Sequence, residues 1–317
     1  MNIHCLQRAF SSASSSLVPL QLPSPMDTHF WYVLPEEVKS ASLVNEYLGL
    51  LSPCERDNVL SMRGDQLKKS ALLARVLVRT TIARYTNFQV DPKSLKFTKN
   101  RYGKPGVDWQ TEDGWLPPSL HFNISHTSSL IACGVTVDSP IGIDVEEKSR
   151  RLNNHILAFA RRYFSSCELE HLTVISDPEI QRQEFMKLWT LKEAYVKALG
   201  RGFSAAPFKT FTIRFKAPTR GNCLSTDKAT EASEIIVESF GDPKNLTSNW
   251  QFALVELAGS HYAAICIERA KTIEGGNFSV PMKLTVRRTI PFVEDESVSE
   301  NSVVAIGGQL CINDHIH

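Results

Sequence analysis

Two stretches of the sequence carry residues whose types and spacing could do chemistry together. FMKLWTLKEAYVKALG, residues 185–200, places Glu193 and Lys197 four apart, with Trp189 four before the glutamate. The apolar spacing predicts a helix, and residues four apart on a helix share a face, so the acid and the amine stand side by side. IGIDVEE, residues 141–147, places Asp144 and Glu146 two apart. On a strand, alternate residues share a face about 6.6 Å apart, close enough for both carboxylates to reach one ion or its water shell. Three carboxylates and a lysine around one cleft would suit a hard divalent cation and phosphate chemistry. Each half of that set also occurs as plain solvated surface, where a helical Glu–Lys pair is worth only about 0.2–0.5 kcal/mol. Met186 and Trp189 beside the pair favour a half-buried carboxylate, although core packing alone explains them too.

Two further groups offer ligand contacts. LKFTKNRYGKPGVDW, residues 95–109, reads as a strand entering a basic turn, where Lys99, Arg101 and Lys104 crowd Gly103 and Pro105 follows. Glycine there lets backbone approach a ligand closely, but basic turns are also common surface features. HFNISHT, residues 121–127, reads as a strand ending in three polar groups, Asn123, Ser125 and His126. Three donors beside a basic turn point to ligand contact about as strongly as to structure.

The elements that must position these groups follow from pattern and punctuation. A short aromatic strand at 28–35 opens the folded part, and a helix is expected over 38–50. Ser52, Pro53 and Glu55 spell a capping box with proline at the first helical position. A basic amphipathic helix spans 64–85, its charges expected mostly on a solvated face. LIACGVTVDSPIGIDVEE reads as two strands joined in a hairpin at Asp138-Ser139-Pro140. In the second, Ile141, Ile143 and Val145 alternate with Gly142, Asp144 and Glu146, and Gly142 weakens a strand unless something approaches the backbone there. Ser165 or Ser166 caps a helix carrying Glu168 in its first turn. Antiparallel strands are expected at 211–215, 234–240, 250–257 and 261–268, one more at 281–293, and then a loose acidic tail.

Composition narrows the class. With 317 residues, 42% hydrophobic and 22% charged, and a formal charge of +1, the chain fits a globular enzyme of two halves and is not a general nucleic-acid binder. No apolar run nears the ~20 residues that span a bilayer. Seven scattered cysteines, never in a CxxC pair, spell neither a disulfide framework nor a zinc site. The first 26 residues are serine-rich and free of acid, with Arg8 in a short amphipathic stretch, and resemble an organellar transit peptide. The expected address is the mitochondrion, with plastid and cytosol as alternatives.

In the order and spacing of RYGKP (101–105), FNISH (122–126), GIDVE (142–146) and WTLKEAYVK (189–197), the chain resembles the 4′-phosphopantetheinyl transferases, in particular the large monomeric type. The resemblance covers residues 31–269. It implies an α+β fold, a pseudo-two-fold pair of similar halves, each a small antiparallel sheet with packed helices, the active site lying between them. The expected division is a transit peptide at 1–26, halves at 27–139 and 140–270, and a partly disordered extension at 271–317. The implied reaction moves phosphopantetheine from coenzyme A to a serine of an apo acyl carrier protein, with Mg²⁺. By the same resemblance Asp144, Glu146 and Glu193 hold the ion, Glu193 is the general base, directly or through water, and Lys197 stabilises charge on the phosphates. Glu146 follows the bacterial pattern, since the animal enzyme is not acidic there. Lys99, Arg101, Gly103, Lys104, Pro105, Asn123, Ser125 and His126 would contact the nucleotide, with His126 near the 3′-phosphate and Arg56 a further member. The carrier, organellar if the leader is one, would meet the basic turn 148–151 and the stretch 161–164. Two other classes fit the same residues: an inactive coenzyme A-binding relative, and a Mg²⁺-dependent phosphodiesterase acting on a small nucleotide.

Overall fold

The computed structural model describes residues 19–25, 27–110, 115–151, 155–202, 206–216, 233–239, 249–269, 281–298 and 302–312. Most of the first 26 residues, and the tail beyond 312, lie outside the described residues. Folded structure begins earlier than the sequence suggests: Leu20 is buried and its N–H donates to the carbonyl of Arg84.

Strand β1 (Asp27–Val33) is followed by helices α1 (Ala41–Leu48), α2 (Pro53–Ser61) and α3 (Asp65–Tyr85). Ser40 caps α1 by accepting the Leu43 N–H, and the capping box of Ser52 and Glu55 starts α2 as its sequence predicts. The hairpin β2 (Lys96–Lys99) and β3 (Pro105–Asp108) then leads to β4 (Leu120–His126) and β5 (Ile131–Val137). The three helices close over β1, β4 and β5 around Trp31, Leu73, Leu77, Phe122 and Val135. Two arginines of α3 depart from the expected solvated face. Arg79 donates to Glu55 and to the carbonyls of Pro92 and Leu95; Arg84 pairs with Asp295 and lies over the Trp31 ring. A guanidinium tolerates burial when its forked donors find acceptors.

The chain continues through β6 (Ile141–Glu147), α4 (Ile156–Tyr163), α5 (Ser166–Thr173), α6 (Pro178–Leu199), β7 (Phe211–Lys216), β8 (Glu234–Ser239), β9 (Trp250–Leu257) and β10 (His261–Glu268). Asp177 accepts the first N–H groups of α6, and Gly200 at φ 62° ends it. Beneath α6 a buried pair joins Lys192 to Glu168 at 2.7 Å, and Glu168 also accepts the backbone N–H of Ile213 and of Ser165. Trp189 packs into an aromatic cluster with Phe159, Tyr163 and Phe208, so it seats α6 against α4 and the residues before β7.

β5 and β6 are not a hairpin. β5 lies between β1 and β4, whereas β6 pairs with β10 in another sheet. Both edges of β5 are taken, so the turn at Asp138, with φ 59°, carries the chain from one sheet to the other. The tail also departs from expectation. β11 (Met282–Ile290) pairs in parallel with β1, β12 (Glu294–Ser297) continues that sheet, β13 (Val303–Gly307) adds to β9, and β14 (Leu310–Ile312) returns to β11. The acidic segment is therefore an edge strand. The sheet orders are β12-β11-β1-β5-β4, with β14 beside β11, and β13-β9-β10-β6. The fold class is α+β as expected, although the larger sheet is mixed. Between the two sheets lies a core of Phe30, Ile143, Val255, Ile265, Leu284 and Val303. Among the described residues, no helix is long and apolar enough to cross a membrane.

Candidate active site

The site forms where the free edge strands of the two sheets, β4 and β6, meet α6. Gly142 makes the junction possible. A Cβ there would stand 2.0 Å from the carbonyl oxygen of Ala194 and 2.2 Å from the nitrogen of Ala198. The approach that Gly142 requires is thus made by the backbone of α6, pressed flat against β6. Alternation then turns Ile141, Ile143 and Val145 into the inter-sheet core and leaves Asp144 and Glu146 on the face that carries Gly142. Glu193 and Lys197, one turn apart on α6, line the same cleft as Asp144 and Glu146. The cleft holds about 580 Å³, with Ser125, His126 and Arg150 also in its wall.

A compact network sits at its floor. The Lys197 ammonium donates to Asp144 Oδ1 at 2.6 Å and to Ser125 Oγ at 3.1 Å, and Ser125 Oγ–H donates to Asp144 Oδ1 at 2.9 Å. Glu146 accepts from Arg150, four residues on. Asp144 is 5% exposed, and its Oδ2 is buried with no hydrogen-bond partner. Burial pushes all three carboxyls up from their ordinary range. At Asp144 the Lys197 ammonium and Ser125 hydroxyl pull back against it; at Glu146 the Asp144 charge adds to it. Glu193 rises to about 7, through burial first and then repulsion from Asp144, with Lys197 opposing.

Such a self-repelling acidic cluster suits a divalent cation, and the orphaned Asp144 Oδ2 is an oxygen acceptor of the required kind. The set is not pre-assembled: among the described residues no three acidic, histidine or cysteine side chains stand ready to enclose a metal, and Lys197 and Arg150 occupy Asp144 and Glu146 in its place. A consequence is testable on the metal-free protein. Glu193, raised from 4.5 to about 7, binds more protons folded than unfolded between those values, so its contribution to stability falls as pH rises through that window. Glu193→Gln is expected to stabilise the metal-free protein at pH 8 by about 1–2 kcal/mol, allowing for solvent screening, and by little at pH 4.5. Denaturant midpoints at the two pH values check this.

The remaining predicted residues divide. His126 is exposed at the cleft wall. Asn123 is buried and accepts the Ile143 N–H at 2.9 Å, outside the cleft lining. Lys104 donates to the carbonyls of Ile141 and Ala198, both at 2.9 Å, and burial lowers its amine to about 8. With Asn100, which donates to Gly200 O at 2.7 Å, it docks the basic turn on the end of α6. Lys99, Arg101 and Gly103 (φ 91°) lie exposed on that turn, with Pro105 starting β3, and Arg56 is exposed on α2. None of these lines the cleft. Sequence reasoning passed over the wall residues Thr127, Ser128 and Glu147 and assigned Arg150 to a partner surface. The hydroxyls at 125 and 127–129 were the available signal for Thr127 and Ser128.

Comparison with known proteins agrees with the motif order. The description "4′-phosphopantetheinyl transferase superfamily" matches residues 140–264, and "4′-phosphopantetheinyl transferase, N-terminal" matches residues 40–136. The 4′-phosphopantetheinyl transferase Sfp of Bacillus subtilis (strain 168) is 32% identical over 168 residues, 53% of this chain and 68% of that protein. HetI of Nostoc sp., named a 4′-phosphopantetheinyl transferase, is 28% identical, over 56% of this chain and 70% of its own. The L-aminoadipate-semialdehyde dehydrogenase-phosphopantetheinyl transferase of Rattus norvegicus is 24% identical over 69% of this chain and 67% of that protein. Among other such relatives the matched share falls to 53% of their length. The chain belongs to the 4′-phosphopantetheinyl transferase superfamily.

Proposed function

We propose that this chain transfers 4′-phosphopantetheine from coenzyme A to a serine of an apo acyl carrier protein, releasing adenosine 3′,5′-bisphosphate, as a holo-[acyl-carrier-protein] synthase does. One observation carries the reading: Asp144, Glu146, Glu193 and Lys197 line a single cleft at the seam of the two sheets. The carrier serine oxygen attacks the β-phosphorus of the coenzyme A pyrophosphate, and the bond to the bridging oxygen breaks. Glu193, unprotonated, takes the serine proton; a carboxyl raised to about 7 is matched to that task near neutral pH. Mg²⁺, held by Asp144, Glu146 and Glu193, would neutralise pyrophosphate charge. Lys197 follows the charge that builds on the leaving bisphosphate, and His126 at the wall faces the nucleotide. The acid-poor leader supports a mitochondrial carrier as partner.

Chromatography of adenosine 3′,5′-bisphosphate tests the reading. Release is expected only when coenzyme A, Mg²⁺ and apo carrier are all present. Equal release without carrier would replace transfer by hydrolysis, and none in any mixture would leave a coenzyme A-binding protein.

A further inference from the structure

Strand β4 alternates in a way that separates two jobs. Phe122 and Ile124 face the core that β4 shares with α1, α2 and α3. Asn123, Ser125 and, just beyond the strand, Thr127 face β6 and β10. Asn123 Oδ1 accepts the Ile143 N–H at 2.9 Å, and Ser125 Oγ accepts the Val145 N–H at 3.2 Å. Thr127 Oγ1 lies 3.1 Å from Nε2 of His261, at the start of β10. The Ile143 and Val145 N–H groups are those that the outer edge of β6 would otherwise leave unpaired, since β10 takes its other edge. They flank Asp144 on both sides.

We propose that Asn123 is a positioning residue: with Ser125 it pins the free edge of β6 by side chains instead of a neighbouring strand, and so fixes Asp144 in the cleft. An ordinary strand on that edge would close the seam, because β4 backbone would come within ladder distance and fill the space where substrate enters. Side-chain pins keep the two edges together while leaving the cleft open. They also leave Asn123 no part in nucleotide contact: it is 4% exposed and absent from the cleft lining. Ser125 differs, because it both pins Val145 and meets Asp144 and Lys197 inside the cleft.

The inference rests on the transferase reading for its kinetic arm and on the fold alone for its exchange arm. Asn123→Leu keeps side-chain size and removes the acceptor; Asn123→Ser offers an oxygen of the kind that already serves at position 125. Hydrogen exchange over residues 141–147 should quicken at least about tenfold in Asn123→Leu, since the Ile143 amide loses its partner, and recover in part in Asn123→Ser. In the same variant kcat should fall about tenfold to a hundredfold, as small misplacements of reacting groups do, while the Kd for coenzyme A without metal changes less than about threefold. If Asn123→Leu does not fold, Asn123→Ser carries both measurements, with smaller changes in the same direction. Weakened coenzyme A binding at preserved kcat would overturn the proposal, as would unchanged exchange. A wild-type protein without transfer activity would sink the transferase reading and leave the exchange result to decide the pin.

Discussion

Glu193→Gln is expected to lower phosphopantetheinyl transfer by about a thousandfold, the middle of the range for loss of a general base, while coenzyme A still binds. Glutamine keeps the shape and loses the capacity to take a proton. Glu193 sits half-buried beside two other carboxyls, which is why it holds its proton to about 7 in the metal-free protein. That value already includes the pull of Lys197, and a bound cation would lower it further, so the acidic limb of the wild-type pH–rate profile should fall at or below pH 7, with activity rising as Glu193 ionises. The limb should vanish in the residual activity of the variant. A variant that keeps more than a tenth of wild-type turnover, with the limb intact, would remove Glu193 from the base role. Because the same substitution should stabilise the metal-free protein at high pH, lost activity cannot then be blamed on unfolding.

Gly142→Ala should have the largest effect on the fold. One methyl group at this position meets the backbone of α6 at 2.0 and 2.2 Å, and backbone cannot rotate aside as a side chain can. Either β6 or α6 must retreat, opening the core that holds Ala194 and Ala198 and moving Asp144 away from Lys197. A loss of at least about 3 kcal/mol is expected, above the usual overpacking range because both contacts are main chain. Gly106→Ala is the matched control, since its added carbon would meet only the Thr98 hydroxyl at 3.9 Å. Guanidinium unfolding of both variants decides the matter; near-wild-type stability of Gly142→Ala would mean the two elements are not packed as described.

Much of this was legible in the sequence because it is local. Ser52 and Glu55 announce a helix start through groups within a few residues and cap α2 as read, and Asp177 and Gly200 bound α6 by the same local chemistry. The alternation of 141–147 placed Asp144 and Glu146 on one face, and Gly142 signalled a close approach there. What the sequence concealed depends on distant partners. The Asp138-Ser139-Pro140 turn gives no sign of which strand edges are already occupied, so a sheet-to-sheet crossing read as a hairpin. The acidic 294–297 segment looks loose until β11 supplies a neighbour, and β11 itself pairs with β1, over 250 residues earlier. Lys104 was grouped with the nucleotide contacts, and nothing near it in sequence shows the carbonyls of Ile141 and Ala198 to which its amine donates. Asn123 was grouped with His126 by proximity, although one pins a strand and the other faces the cleft.

If the cleft of Asp144, Glu146, Glu193 and Lys197 moves phosphopantetheine onto a protein serine, the carrier must become heavier. The most direct measurement is the intact mass of an apo acyl carrier protein after incubation with this chain, coenzyme A and Mg²⁺. A gain of one phosphopantetheine group is expected, lost when the carrier's acceptor serine is replaced by alanine and nearly lost with Glu193→Gln. A carrier of unchanged mass beside intact, folded protein that binds coenzyme A would contradict it.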